Sequence, residues 1–319
     1  MPIHQYGELY GGEAFPDFSS LLDAFYTRRS KADNMRRRSS DLTHSVKTVR
    51  DRVQRKLAMQ REDLKKTAQR ETKKRFGDLI TANIYRIKKG EKSVTVEDFY
   101  ADGCPGVTIP LDSMKTPQQN AAAFYKEYNK QKSAEKHLRE LVTVNERDLD
   151  YLNSVLDELS RAESEADLAD IRRELAETGF LRKGKSAKKE KLKPSRPLRF
   201  RSSSGLEILV GRSNAMNDTL TLKTARRTDY WLHAQRIHGS HVIICCEGQE
   251  PDETSIAEAA SLAAYYSQSR ESGKVPVDYT MVRFVKKSSG ALPGMVIYTD
   301  YKTVMAQPDE RLAERLRVK

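Results

Sequence analysis

The segment around residue 230 holds side chains that could bind a nucleotide or a phosphate. Trp231, the only tryptophan of the chain, lies between Asp229 and His233. Because side chains alternate along a strand, these three would share one face. The indole could stack on a base, the imidazole could form hydrogen bonds with RNA, and the carboxylate could orient the imidazole. A tryptophan buried in the core, with its indole N–H bonded to a neighbour, explains the pattern equally well, so both interpretations stay open.

A second segment, Gly239, Ser240 and His241, follows as a turn before an apolar run. Glycine frees the backbone, and Ser240 could then offer its amide and its hydroxyl group to a phosphate oxygen. A purely structural turn at the entry to a strand explains these residues nearly as well. Three residues are weak evidence by themselves, so the segment is a candidate RNA contact only with support from outside these residues.

The same side chains do not form a convincing active site. A hydrolase built on Asp229, His233 and Ser240 would need a nucleophile beside a base, and their spacing does not force that geometry. A metal site at His233, His238 and His241 would need further ligands, and no cysteine or carboxylate of clear spacing accompanies them. We therefore predict no catalytic constellation, no metal and no cofactor.

Cationic residues surround both segments. They are Arg226, Arg227, Arg236, Lys286 and Lys287. Guanidinium and ammonium groups suit phosphates better than base edges, so we expect contacts that position RNA without reading its sequence. Solubility alone would explain any single one of these residues.

The composition favours a partner with many negative charges. The chain has 319 residues, with 57 Lys and Arg against 45 Asp and Glu, which gives a net charge of +12. RNA and anionic membranes both fit that charge. No apolar run approaches the roughly 20 residues of a membrane-spanning helix, and residues 1–18 do not have the pattern of a signal peptide. We expect a cytoplasmic protein with no membrane partner.

Long charged helices fit the composition better than one large globule, because only 38% of the residues are hydrophobic and 32% are charged. Two stretches have the three–four spacing of apolar residues that is typical of a coiled-coil seam. The first begins near Leu42 and predicts a helix of about 50 residues, on the order of 75 Å long. The second begins near Thr116 and predicts a return helix that packs antiparallel against the first. We expect an extended coiled-coil hairpin over residues 31–180.

A small module is predicted between the two helices, over approximately residues 76–130. Glycine and proline residues interrupt the helical period from residue 90 to residue 117. Within this stretch, residues 94–96 and 107–109 alternate as short strands do. The module would cap the hairpin and expose aromatic and basic side chains together. These are Tyr85, Lys88, Lys89, Lys92, Phe99 and Tyr100.

The carboxy-terminal part has a different pattern. Residues 181–197 are rich in lysine and have no apolar period, so we assign them as a flexible basic linker. Short apolar runs bounded by turns then predict strands, and the Ala-rich residues 252–270 predict a helix packed on a sheet. We predict a compact α+β domain over residues 198–310. Residues 1–30 are assigned as a residual linker and residues 311–319 as a charged tail.

Several segments together resemble the NFACT family, whose members include RqcH, FbpA and NEMF. The segment DYWLHAQRIHGSHVII, residues 229–244, with VPVDYTMVRFVKK, GALPGMVIYTD and AQPDE, is similar to the family's NFACT-R domain. LTANIYRIKKG at residues 80–90, VTIPLD at residues 107–112 and TPQQNA at residues 116–121 resemble its coiled coil and middle module. The resemblance implies that residues 198–310 form an NFACT-R domain.

Two departures from the family pattern stand out. His238 occupies the position before Gly239 where the family usually has proline, which leaves the turn less rigid. We also expect the amino-terminal NFACT-N domain and the helix-hairpin-helix module of the family to be absent, so that the chain corresponds to the carboxy-terminal part of a family member.

The resemblance implies a ribosome quality-control factor that binds the obstructed large ribosomal subunit, tRNA and ribosomal RNA. Such a factor supports the addition of alanine to a stalled nascent chain without a template. The resemblance also makes Lys88, Lys89 and Lys92 candidate contacts with the ribosomal stalk base. We expect an RNA-binding, ribosome-docking chain that is a monomer or weak dimer and is not itself an enzyme.

The family's older label as fibronectin-binding protein gives an alternative, a surface adhesin whose basic coiled coil engages host matrix. No export or anchoring signal is recognised in the sequence, and we therefore place this alternative second.

Overall fold

The computed structural model describes residues 14–182 and 195–318, and it combines long helices with an antiparallel sheet. The predicted α+β class is confirmed. The chain divides into two compact units, one made of Met1–Val49 with Tyr151–Lys319 and the other of Arg50–Asp150. Among the helices of the described ranges, none is both long enough and apolar enough to cross a bilayer.

Four helices account for most of the first half of the chain. They are α1 (Phe18–Thr67), α2 (Arg70–Ala82), α3 (Pro117–Arg161) and α4 (Glu165–Glu177). Helix α1 begins well before Leu42, so residues 18–30 are helical and not a linker. The reason is a cap: the Asp17 carboxylate accepts the Ser20 amide at 2.7 Å, which satisfies a free donor of the first turn. Residues 1–13 of the assigned linker lie outside the described residues.

In the unit Arg50–Asp150, helices α1 and α2 run antiparallel to α3, as predicted. The Asn145 amide donates to the Gln60 side chain at 2.8 Å, and Arg70 forms an ion pair with Glu135. Arg70 follows Gln60 along the chain, whereas its partner Glu135 precedes Asn145. Only antiparallel helices produce this reversed order of partners. The buried Gln60–Asn145 bond places a polar layer in an otherwise apolar seam.

The same unit contains the predicted small module. Strands β1 (Ser93–Glu97) and β2 (Gly106–Pro110) pair antiparallel and pack on α2. Its core includes Leu79, Ile80 and Ile109, all fully buried. Pro117 starts α3, where a missing backbone donor has no cost.

The second half of the chain forms a six-stranded sheet with the order β10-β7-β5-β6-β4-β3, in which every neighbouring pair is antiparallel. The strands are β3 (Leu198–Arg201), β4 (Glu207–Val210), β5 (Tyr230–Ala234), β6 (Val242–Cys245), β7 (Val275–Met281) and β10 (Lys302–Ala306). Strands β8 (Val285–Lys286) and β9 (Ile297–Tyr298) form a separate pair. The remaining helices are α5 (Asn214–Thr219), α6 (Glu253–Tyr265) and α7 (Glu310–Leu316).

Both faces of the sheet are covered. Helix α6 packs its alanines on one face, against Leu232, Val242 and Ile244. The other face buries Trp231 and Ile243 beneath a π-helical turn, Leu220–Thr224, and the β8–β9 pair. Because side chains alternate along β5 and β6, each of these strands contributes residues to two separate cores.

Helix α7 replaces most of the predicted charged tail. Its Ala313 and Leu316 are buried in the same core as α6, because they lie on one face of the helix three residues apart. The Asp309 carboxylate caps the helix by accepting the Leu312 amide at 3.1 Å. Most of the predicted basic linker, residues 183–194, lies outside the described residues.

Candidate nucleic-acid interface

Strands β5 and β6 bring the predicted aromatic and imidazole side chains together. Trp231 and His233 of β5 share a face, with ring centroids 5.6 Å apart and planes 13° apart. His241, which precedes β6, presents its ring edge-on to both, at 5.3 Å from Trp231 and 5.5 Å from His233. The predicted common face of Trp231 and His233 is therefore present.

Trp231 is not an open stacking surface. It is fully buried, in contact with Tyr298 and enclosed by Leu220, Val282 and Val285. The indole N–H has no hydrogen-bond partner in the part of the chain that the structure describes, although the core interpretation expected one. The placement corresponds to the core interpretation of Trp231. A ring enclosed on all sides cannot stack on a base unless the Leu220–Thr224 turn and the β8–β9 pair move away from it.

Burial also keeps the two imidazoles neutral. It lowers the pKa of His233 to about 4, and it holds the pKa of His241 well below the usual histidine value. The Thr221 hydroxyl and the His241 Nδ1 are 2.7 Å apart, and the His241 amide donates to the Asn217 side chain at 3.0 Å. Neutral, bonded imidazoles stabilise the strand entry but bring no positive charge to a phosphate.

Asp229 does not orient His233, contrary to the expectation from sequence. Its carboxylate accepts the backbone amides of Arg226 at 2.7 Å and Cys246 at 3.0 Å, because the chain turns sharply before β5. The carboxylate opposite His233 is Asp278 of β7. Asp229 is thus a buried turn-forming group.

Ser240 is occupied by other parts of the fold. Its amide donates to the Tyr266 carbonyl at 2.9 Å, and its hydroxyl accepts from the Arg161 guanidinium at 2.9 Å. A Cβ at position 239 would lie 3.0 Å from the Cβ of Ser267, so the absence of a side chain at Gly239 permits this close approach. A phosphate contact from Ser240 stays a prediction, and it would require a buried amide to change partners.

Four of the five predicted cations are exposed: Arg226, Arg227, Arg236 and Lys286. None of the four forms a salt bridge with a carboxylate of the described residues. Lys287 differs, since it is partly buried and forms an ion pair with Asp218. The four exposed groups are free to meet phosphates.

These cations flank strand β5 and do not form one tight cluster. Arg226 and Arg227 precede the strand, whereas Arg236 follows it. The Arg283 amide donates to the Arg227 carbonyl at 3.3 Å, which brings a further cation to the first end of the strand. The two groups of cations lie at opposite ends of β5, on the order of 15–20 Å apart. Groups this far apart would contact phosphates that are not adjacent on a nucleic-acid backbone.

Several residues that position the site were missed from sequence. The carboxylate of Asp218 accepts the Gly294 amide at 3.1 Å and pairs with Lys287, which holds the loop before β9 against α5. Gly294 has φ of 77°, and a Cβ there would meet the Asn214 amide oxygen at 2.2 Å. No local pattern marks Asp218 or Gly294, because their partners come from distant parts of the chain.

The small module formed by β1, β2 and the end of α2, called the tip module from here on, presents its predicted side chains to solvent. Lys88, Lys89 and Lys92 are exposed, and Tyr85 and Phe99 are 80% and 52% exposed. Tyr100 is also exposed, and its hydroxyl donates to the Asp78 carboxylate at 2.7 Å. The module thus combines cations with aromatic rings on its surface.

No group of three or more histidine, cysteine, aspartate or glutamate side chains in the described ranges is arranged to hold a metal ion. The predicted residues thus comprise exposed cations around β5, the buried Trp231 and His241, and the partly buried His233.

Two family models match the chain. One, described as the NFACT N-terminal and middle domains, matches residues 2–194, and the other, described as the NFACT protein RNA binding domain, matches residues 196–299. The first match corrects our expectation that the amino-terminal region of the family is absent, because it includes nearly all residues before the sheet. The second match covers strands β3 to β9 and all the predicted RNA-binding residues.

Curated relatives carry the name Rqc2 homolog RqcH. The protein of Bacillus subtilis (strain 168) is 38% identical over 310 residues, which are 96% of this chain and 54% of the relative. That of Streptococcus pneumoniae (strain D39) is 35% identical over 301 residues, or 94% of this chain and 54% of the relative. The chain spans about half the length of the curated relatives it matches.

A solved structure is also similar. It is described as the C-terminal of the fibronectin/fibrinogen-binding protein from Streptococcus suis, with a TM-score of 0.69 and 31% sequence identity. The similarity covers 90% of this chain and 100% of that chain.

Proposed function

The chain belongs to the NFACT family, and on that premise we propose that it is the RNA-binding, ribosome-docking part of a ribosome quality-control factor. Its partners are the large ribosomal subunit carrying an obstructed nascent chain, ribosomal RNA and tRNA. In this role it supports the addition of alanine to the stalled chain without a template. The proposal assigns no covalent chemistry to the chain.

One observation carries the RNA-binding part of the proposal. Arg226, Arg227, Arg236 and Lys286 are exposed around the β5 strand, and none is neutralised by a carboxylate of the described residues. Cations of this kind bind phosphates and release the counterions that surround RNA, so affinity depends strongly on salt and weakly on base sequence. The net charge of +12 acts in the same direction over a longer range.

The buried residues have a supporting role in this proposal. Trp231, His233 and His241 pack against one another at β5, the strand that the arginines flank. Ser240 and Gly239 fix the entry to β6. Contacts that position RNA must themselves be held rigidly, and a packed aromatic core provides that rigidity.

The tip module is the second part of the proposal. Exposed Lys88, Lys89 and Lys92 make a compact cationic group beside exposed Tyr85 and Phe99. We assign this group to contact with the ribosomal stalk base. The support is the family resemblance of residues 80–90 together with the exposure of all three lysines.

RNA binding is tested by measuring tRNA affinity at several salt concentrations. Changing Arg226, Arg227 and Arg236 to Ala should weaken binding and reduce the slope of log affinity against log salt by about 2–3. A matched control changes Arg201, Lys274 and Arg311 to Ala, which removes the same charge from exposed positions outside the site. Equal losses in both triple variants would show that only net charge matters, and an unchanged slope would contradict phosphate contact.

The similar Streptococcus suis structure supplies a second candidate function, the binding of fibronectin or fibrinogen, which its title names. Immobilised fibronectin distinguishes the two candidates. Saturable binding to fibronectin that tRNA does not displace, together with no measurable binding to large subunits, would favour the second candidate over the first.

A further inference from the structure

The six-stranded sheet has two edge strands, β3 and β10, and among the described residues another segment of the chain pairs with only one of them. At the β3 edge, the segment after α7 lies alongside the strand, and the Val318 amide donates to the Arg199 carbonyl at 2.9 Å. At the β10 edge, no residue of the described ranges pairs with the outer backbone groups of Thr303 or Met305. An open edge offers free N–H and C=O groups to another strand.

The pairing of β7 determines which groups of β10 point outward. The Pro276 carbonyl accepts a backbone hydrogen bond from the β5 side at 2.8 Å, so its neighbour Val277 faces β10. Val304 lies opposite Val277 and directs its own backbone groups inward. Because these directions alternate, Thr303 and Met305 direct their N–H and C=O groups away from the sheet.

From this arrangement we infer that β10 pairs with the β10 strand of a second copy of this chain, antiparallel and centred on Val304. In that register Thr303 of each copy lies opposite Met305 of the other, and the outward groups of both residues exchange hydrogen bonds. Val304 lies opposite its own counterpart in a pair without hydrogen bonds. The arrangement has twofold symmetry, so each copy offers the other the same set of hydrogen-bond donors and acceptors.

Charges at the two ends of β10 favour the same occupant. Lys302 begins the strand, and Asp309 with Glu310 follows its end. An antiparallel copy brings its Lys302 towards the carboxylates of the other chain, and the symmetry repeats this contact. An unrelated extended peptide would have to carry the same order of charges, which this chain already has.

The surface beside β10 has room for the second strand. An open groove of about 720 Å³ is lined by the small side chains of Ala257, Ala260 and Ser261 on one side and by Val304–Arg311 on the other. Met305 is 57% exposed next to it. Pairing through five residues buries less than the roughly 1,200 Å² of a stable interface, so we expect a weak dimer that forms at high micromolar concentration.

Disulfide trapping tests the register. In a Cys104→Ser chain, Val304→Cys would lie opposite itself across the twofold axis, at the short distance of a pair without hydrogen bonds. Met305→Cys is the matched control, because its site is more exposed but lies opposite Thr303. Under mild oxidation the Val304→Cys chain should form covalent dimers on the order of tenfold faster. Equal rates, or a faster Met305→Cys chain, would overturn the proposed register.

Sedimentation equilibrium tests the association itself. The average mass of the unmodified chain should rise above the 36.4 kDa of one copy as its concentration increases. Met305→Pro removes an outward amide without touching the pairing to β7, and Met305→Lys adds like charge to the edge, so both should keep the chain at the mass of one copy. Met305→Thr keeps the amide and should still associate.

Thermal melting curves identify any variant that does not fold. If either Met305→Pro or Met305→Lys fails to fold, the other of these two blocking variants decides the outcome. A constant mass of one copy for the unmodified chain, or association that both blocking variants leave unchanged, would show that β10 does not pair with itself. The first of these results would leave the open edge to an extended segment of another protein.

Discussion

His241 is buried and His233 is partly buried in the domain that contains the six-stranded sheet, with ring centroids 5.5 Å apart, and desolvation lowers the pKa of both imidazoles. In a chain with a net charge of +12, these two side chains therefore add nothing to phosphate attraction at neutral pH. In the proposed function the exposed arginines provide that attraction, and the histidines pack within the domain that carries them. The division follows from solvent access, because at His233 the cost of removing a charged imidazole from water outweighs its attraction to Asp278.

The lowered pKa of His233 predicts a loss of stability in acid. Its value is about 4 in the folded chain, against about 6.5 when the chain is unfolded. Between those values only the unfolded state binds the proton, so the free energy of unfolding falls as pH decreases through this range. The contribution of His233 is present above pH 6.5 and is lost by pH 4, and it amounts to about 3 kcal/mol at most.

Chemical denaturation at a series of pH values checks this prediction. A His233→Gln chain should be less sensitive to pH between 6.5 and 4 than the unmodified chain, because glutamine has no proton to gain. His44→Gln is the control, since His44 is exposed on α1. Parallel curves for the His233→Gln and unmodified chains would show that His233 does not titrate in this way.

At the scale of elements, helix α7 shows how a short charged segment becomes part of a core. Residues 310–316 are mostly charged, yet Ala313 and Leu316 turn inward against the core that α6 shares. The segment after the helix then covers the β3 edge. The carboxy-terminal helix therefore protects one side of the sheet from strand pairing while β10 stays open on the other.

Leu316→Ala should lower the free energy of unfolding of the sheet domain by about 2–4 kcal/mol, because it leaves a cavity where a buried side chain was. Arg311→Ala on the same helix is the matched control and should change it by about 0.5 kcal/mol or less, since Arg311 is exposed. Urea denaturation followed by the fluorescence of Trp231 reports on this domain. Similar values for both variants would show that α7 is not a structural part of the core.

At the scale of the whole molecule, cationic groups occur in both compact units. One group, Lys88, Lys89 and Lys92, belongs to the unit Arg50–Asp150, and the arginines around β5 belong to the other. Two separate cationic surfaces in one chain suit a protein that must hold two RNA-containing partners at once. The proposed ribosome contacts therefore lie in the unit Arg50–Asp150, and the proposed tRNA contacts lie in the other unit.

This separation predicts two different losses. Changing Lys88, Lys89 and Lys92 to Ala should reduce co-sedimentation with purified large subunits while leaving tRNA affinity within about twofold, because the altered groups are in a different unit. Changing Arg226, Arg227 and Arg236 to Ala should reduce tRNA affinity. Sedimentation, filter binding and thermal melts on the same proteins would measure all three properties. Equal losses of both activities in both variants would contradict the division.

Elements with a local sequence signal could be predicted before the structure was known. The antiparallel helices, the two short strands of the tip module and the α+β domain follow from apolar spacing and from glycine and proline positions. The shared face of Trp231 and His233 follows from strand alternation. The exposed cations were also recognisable, because an arginine with no apolar neighbours in its pattern is usually solvated.

Which of these side chains can reach a partner depends on long-range packing that the local sequence does not reveal. Trp231 is enclosed because a π-helical turn and the β8–β9 pair cover its face, and Ser240 is occupied by Arg161 from a helix 79 residues away in sequence. The open β10 edge is likewise a property of strand order, which nothing in the local pattern states. Burial and edge exposure depend on contacts between distant segments, so they are fixed only when the whole domain packs.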